Sequence, residues 1–105
     1  MNKYSEQISN DSIFVHDDKV AWREVDGEVL IVPIRMSPHD KTGVYRLNRT
    51  ASFIWTRLNG ERDMRELIAL MIVQFEVTQA EAEADTRELL ADLMSFDAIS
   101  KAVSR

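Results

Sequence analysis

An Asp-Gly pair at positions 26 and 27, set between two strand-like runs, constrains this chain more than any other feature. Glycine accepts positive φ at no steric cost, and Asp-Gly suits the tight turn that joins two antiparallel strands. Before it, VAWREV (residues 20–25) alternates, with Val20 and Trp22 on one face. After it, EVLIVPI (residues 28–34) is a nearly continuous apolar run, which predicts burial on both faces. Pro33 has no N–H to give a ladder, so it belongs at the strand's end or at an unpaired position.

A polar stretch with Pro38 and Gly43 then reads as a loop, and VYRL follows it. Here Tyr45 and Leu47 share one face, Val44 and Arg46 the other. Asn48 is a good N-cap for a helix whose apolar positions are Ala51, Ile54, Trp55 and Leu58, stopped by Asn59-Gly60. Two more helices announce themselves by capping boxes, Asp63 with Glu66 and Thr78 with Glu81. The second helix carries an amphipathic stripe of Met64, Leu67, Ile68, Met71, Ile72 and Phe75. The third is expected to bury Ala82, Leu89, Leu90 and Leu93, with Met94 and Phe96 at its margins.

The expected fold class is therefore α+β: a three-stranded antiparallel sheet followed by a three-helix bundle covering one sheet face. In a meander the third strand, Val44 to Leu47, lies at an edge, with unpaired amides and carbonyls able to accept another chain. Across from it, Glu83, Arg87, Leu90 and Met94 follow helical spacing along one flank of the third helix. That flank reads either as a solvated border of the core or as the second wall of a groove. Residues 1–13, polar and aperiodic, read as a flexible tail, and 14–105 as one domain.

With 105 residues, 45% hydrophobic and 30% charged, the composition is that of a globular domain. No run is long enough to span a bilayer, the N-terminus lacks a signal peptide's apolar segment, and there is no cysteine. A cytoplasmic protein is expected. Residues 76–97 hold seven acids against the single base Arg87, so nucleic-acid binding through that segment is not expected. His16 and His39 sit in separate polar segments and make a poor metal site. No serine has a nucleophile-elbow context, and Ser52 reads as a helix-surface residue. Gly27, Gly43 and Gly60 are explained as turns or caps, leaving no phosphate loop. Trp55, Met64 and Met71 fit packing better than a cofactor platform. The expectation is a protein that is not an enzyme and needs no cofactor.

YRLNRTASFIW, LNGERDMRELI and VTQAEAEADTRELLADL together resemble the PqqD-like family, named for pyrroloquinoline quinone biosynthesis. Its fold is the recognition element for precursors of ribosomally made, modified peptides. The family's pattern is met by Leu47, Asn48, Ala51, Ile54 and Trp55, then Gly60, the Ala84-Asp85 pair and Asp26 to Glu28. The resemblance covers roughly residues 14–100. Two departures stand out: Asp97-Ala98-Ile99 replaces the usual Gly-Leu-Ile, predicting a frayed or differently closed helix end, and the loop from Arg35 to Gly43 is long.

The resemblance implies a winged-helix-like domain that binds a precursor's leader as a strand added to Val44, Tyr45, Arg46 and Leu47. Leader side chains would then rest against the third helix. It also implies a separate partner enzyme, such as a radical-SAM protein or a leader peptidase. Arg46 and Arg87 would either pair with acidic leader residues or offset neighbouring acids. Two rival readings share the architecture: a winged-helix DNA-binding regulator, opposed by the acidic third helix, and a structural homodimer through the same edge strand. Monomer and homodimer both remain open, as does the identity of the precursor.

Overall fold

The computed structural model describes residues 3–33 and 44–102. After a 3₁₀ turn at Lys3–Gln7 come β1 (Ile13–His16), β2 (Val20–Val25), β3 (Glu28–Pro33), β4 (Tyr45–Arg46) and α1 (Arg49–Trp55). β5 (Asn59–Asp63), α2 (Met64–Phe75), α3 (Gln79–Ser95) and β6 (Ile99–Lys101) follow. Over the described residues the fold is mixed α+β, with two antiparallel sheets, in orders β5-β1-β6 and β2-β3-β4, and three α-helices. Among the described residues no helix is long and apolar enough to cross a membrane. His39 and the stretch from Arg35 to Gly43 lie outside the described residues.

The expected order of three strands followed by three helices is corrected. β1, β5 and β6 form a second sheet that interleaves with the helices. β5 is the sequence NGERD, with no apolar alternation, and its pairing with β1 joins segments far apart in the chain. Such strands owe their state to tertiary partners rather than to local preference. Gly60 is part of this correction. Rather than stopping α1, which already ends at Trp55, it lies in β5 at φ +84°, where a Cβ would come within 2.8 Å of Val15 Cγ1.

The hairpin follows the sequence reading. Val25 pairs with Glu28 across a two-residue turn, with Asp26 at φ 54° and Gly27 at φ 82°, the left-handed pair that Asp-Gly favours. Trp22 opposes Ile31, and Val20 opposes Pro33, so Val20, Trp22, Val29 and Ile31 share the inward face. Burial of β3 on both faces does not hold. Val29 and Ile31 are fully buried, but Val32, on the other face, is 42% exposed.

Both capping boxes form, with Asp63 and Thr78 as N-caps. Met64, Leu67 and Met71 of α2 meet Ala82, Leu90 and Leu93 of α3 in a core that also holds Phe14, Ile54 and Trp55. Each large side chain so buried contributes about 1.5–3 kcal/mol. Residues 3–12, read as tail, lie against α3: Ile8 and Ser12 are buried, and Arg87 donates to the carbonyls of Ser5 and Ile8. One isoleucine in a polar run has no periodicity to reveal it.

The end of α3 closes without a glycine. Asp97 adopts φ 61°, its N–H reaches Met94 O at 3.1 Å, and the Ala98 N–H reaches Leu93 O at 2.9 Å. This is a complete Schellman motif, which turns the chain directly into β6. Fraying is therefore not what the structure has; Asp97 carries the left-handed strain instead.

Candidate functional site: a strand edge beside an acidic cleft

β4 pairs with β3 through Leu30–Arg46 and Ile31–Tyr45, and among the described residues no strand lies on its other side. Just beyond it the Leu47 N–H donates to Val29 O at 2.8 Å. Backbone groups alternate sides along an antiparallel strand, so Tyr45, two residues before Leu47, also turns its N–H and C=O to β3. The same groups of Val44 and Arg46 turn away from the sheet. Among the described residues none hydrogen-bonds to them.

Ser52 fixes this edge in place. Its hydroxyl accepts from the Val29 N–H at 2.8 Å and donates to Leu47 O at 3.2 Å. Those two backbone groups would otherwise bond each other as the second half of an antiparallel pair. The hydroxyl is inserted into the ladder and ties α1 to β3 and β4 together. Ser52 is 3% exposed, which corrects its reading as a helix-surface residue. The signal was its spacing: Ser52 lies three residues before the fully buried Trp55, on the same side of the helix.

On the inward side, the Tyr45 ring meets Phe96 with centroids 4.4 Å apart, linking β4 to the end of α3. Burial pushes the Tyr45 phenol above its usual range, and the nearby Asp92 carboxylate adds to this. A cleft of ≈ 340 Å³ opens between α1, α2 and α3, beginning at Asn48, two residues after β4 ends. Ala51 and Ile54 contribute one wall; Asp85, Glu88, Leu89 and Asp92 contribute the other. Thr86, 1% exposed, also lines it.

Val44 and Arg46 are exposed at the edge, Tyr45 is 40% exposed, and Leu47 is buried in the core. Leu47 therefore anchors the edge and does not present a side chain. The structure does not bring the expected α3 flank to this edge. Leu90 is fully buried, and Met94 is half-buried against the core. Arg87, beside Glu83 at 3.5 Å, holds the carbonyls of Ser5 and Ile8. The face that lines the cleft is Asp85, Glu88, Leu89 and Asp92, across the buried stripe of Ala82, Thr86, Leu90 and Leu93. Sequence spacing finds two flanks on such a helix. It does not say which one the N-terminal segment will cover.

The described histidine is structural. His16 stacks flat on Trp55, centroids 3.9 Å apart, with Nε2 2.7 Å from Trp55 O, and Trp22 meets both rings edge-on. Burial lowers the imidazole's pKa, an effect opposed by the bond to the Trp55 carbonyl.

Two comparisons bear on this geometry. Among solved structures, the chain is similar to one described as TbiB1 in complex with the TbiA(beta) leader peptide. The TM-score is 0.71 at 19% sequence identity, covering 86% of this chain and 99% of that one. At that identity the likeness is one of fold. A search of curated proteins gives no match. The family model for coenzyme PQQ synthesis protein D (PqqD) matches residues 34–97. That span is more than half of the sequence and includes β4, all three helices and the cleft between them, and on it the chain belongs to the PqqD family.

Proposed function

We propose that this protein binds the leader region of a ribosomally made precursor peptide as a strand added to β4. It then delivers the precursor to a separate modifying or processing enzyme. The observation that carries the reading is the outward-turned backbone of Val44 and Arg46, directly beside a partly apolar cleft. An extended peptide satisfies such an edge through its own backbone, and its alternate side chains fall into the adjoining cleft. Membership of the PqqD family supports this, as does the shared fold with TbiB1, a protein described in complex with a leader peptide.

The role so proposed is non-catalytic: recognition here, chemistry on a partner such as a radical-SAM protein or a leader peptidase. In this reading residues 14–105 are the recognition domain, and the fold is winged-helix-like, with the β2–β3–β4 ribbon as the wing. Within the edge from Val44 to Leu47, the site consists of the outward backbone of Val44 and Arg46, with the Tyr45 ring and the cleft-lining face of α3 beside it.

Titrating isotope-labelled protein with synthetic leader peptides of candidate precursors tests the proposal. The amides of Val44 to Leu47 and of α3 around Asp85 to Asp92 are expected to shift together. Shifts confined to other surfaces remove the reading.

A further inference from the structure

We infer that the cleft beside β4 selects leaders in which a lysine or arginine stands close to an apolar anchor; this rests on the strand-addition reading above. Among the described residues, the cleft lining includes three carboxylates, those of Asp85, Glu88 and Asp92, and no lysine or arginine. Its remaining surface is partly apolar, from Ala51, Ile54 and Leu89. A single large apolar side chain fits the ≈ 340 Å³ between them.

A cluster of acids alone would not define a site. The second observation is Thr86. It lines the same cleft at 1% exposure, and its Oγ1 has no hydrogen-bond partner among the described residues. Helical threonines often bond the carbonyl four residues back. This one does not, which leaves a buried hydroxyl able to accept from an entering ammonium or guanidinium.

Among the described residues, Arg46 and Arg87 are committed elsewhere. Arg87 sits on the opposite flank of α3, on the carbonyls of Ser5 and Ile8 and beside Glu83. Arg46 alternates to the outer face of the sheet, 4.0 Å from Glu28. Neither of these two arginines lines the cleft, so the pairing of Arg87 with an acidic leader residue gives way to the opposite charge preference.

Strand geometry makes the combination reachable. Successive inward side chains of an added strand are two residues apart. An apolar residue can fill the space between Ala51, Ile54 and Leu89 while a Lys or Arg two positions away meets the carboxylates. The aliphatic stem of that Lys or Arg also packs on apolar surface.

The test is selection of a phage-displayed library of random peptides on the full chain. Binding of the best peptide is then measured by fluorescence anisotropy, and its footprint by amide shifts. Enriched peptides are expected to carry Lys or Arg two positions from a large apolar residue. Changing that Lys or Arg to Glu is expected to weaken binding by about tenfold. The same change should have little effect on a D85N/E88Q/D92N variant. Thr86→Val, which keeps the side-chain shape, is expected to weaken the basic peptide several-fold without unfolding the protein.

Enrichment of acidic or charge-neutral peptides overturns the inference and leaves strand addition standing. So does a charge preference that persists unchanged in the triple variant. Enriched peptides whose shifts spare Val44 to Leu47, or no enrichment at all, overturn strand addition and this inference with it.

Discussion

Removing the Ser52 hydroxyl should loosen the β4 edge by an amount the structure lets one work out. In Ser52→Ala the Val29 N–H loses an acceptor at 2.8 Å and the Leu47 carbonyl loses a donor at 3.2 Å, at a position 3% exposed. A buried hydrogen bond contributes about 1 kcal/mol net, and a buried donor left without a partner costs about 1–3 kcal/mol. Part of this is recoverable. The Leu47 N–H already bonds Val29 O, so the strands can close and let the Val29 N–H reach Leu47 O directly. The net destabilisation is then about 2 kcal/mol, a fall in Tm of roughly 8–16 °C for a domain of this size. Thermal melting followed by circular dichroism measures the total. Native-state hydrogen exchange locates it, with loss of protection greatest at the amides of Val29 and Leu47. A Tm unchanged within error, with exchange at Val29 unaltered, would refute the idea that this hydroxyl splices α1 into the sheet.

Arg46→Pro removes an N–H that faces away from the sheet, so stability should change by less than about 1 kcal/mol while leader affinity falls about fivefold, measured by calorimetry. Arg87→Ala strips the two bonds to the Ser5 and Ile8 carbonyls; hydrogen exchange of residues 5–9 should rise, stability should drop by about 1–3 kcal/mol, and leader affinity should hold. Asp97→Gly relieves the left-handed residue at φ 61° and should stabilise by about 1 kcal/mol in urea titrations. His16 has a pKa lowered by burial, so the unfolded chain takes up the proton first as pH falls. The histidine's contribution is thus full above its unfolded value of about 6.5 and is lost toward lower pH, and His16→Gln should flatten stability across that interval in urea melts at stepped pH.

The elements legible in the sequence were those whose signals are local. Asp26-Gly27 set the hairpin because both residues can take positive φ, and Thr78 and Asp63 set helix starts because each pairs with a glutamate three residues on. β5 was not legible, since NGERD becomes a strand only by lying against β1. The same limit governed the site. The edge position of β4 follows from a meander, but the choice between the two flanks of α3 does not. It depends on Ile8 and two carbonyls near the N-terminus, which take Arg87 and cover one flank. Asp85, Glu88 and Asp92 were counted as acids in the sequence. Only packing showed that they share a cleft with a threonine hydroxyl that has no partner among the described residues.

If leaders add to β4 as proposed, its brevity divides the work of recognition. Two paired residues make a poor template for uncontrolled sheet extension, as edges in stable proteins generally do. They also limit what the backbone can contribute. The outward groups of Val44 and Arg46 offer four hydrogen bonds at most, worth about 4 kcal/mol at about 1 kcal/mol each. A micromolar complex requires about 8 kcal/mol. An apolar anchor of ~100 Å² in the cleft supplies about 2–3 kcal/mol, and charge pairs at its mouth the remainder. Substitutions at β4 should therefore weaken all extended peptides alike, whereas substitutions at Asp85, Glu88 or Leu89 should change which peptide is preferred. Comparing the two sets against the same group of peptides separates these contributions, and a uniform loss from the α3 variants would place selectivity outside the cleft.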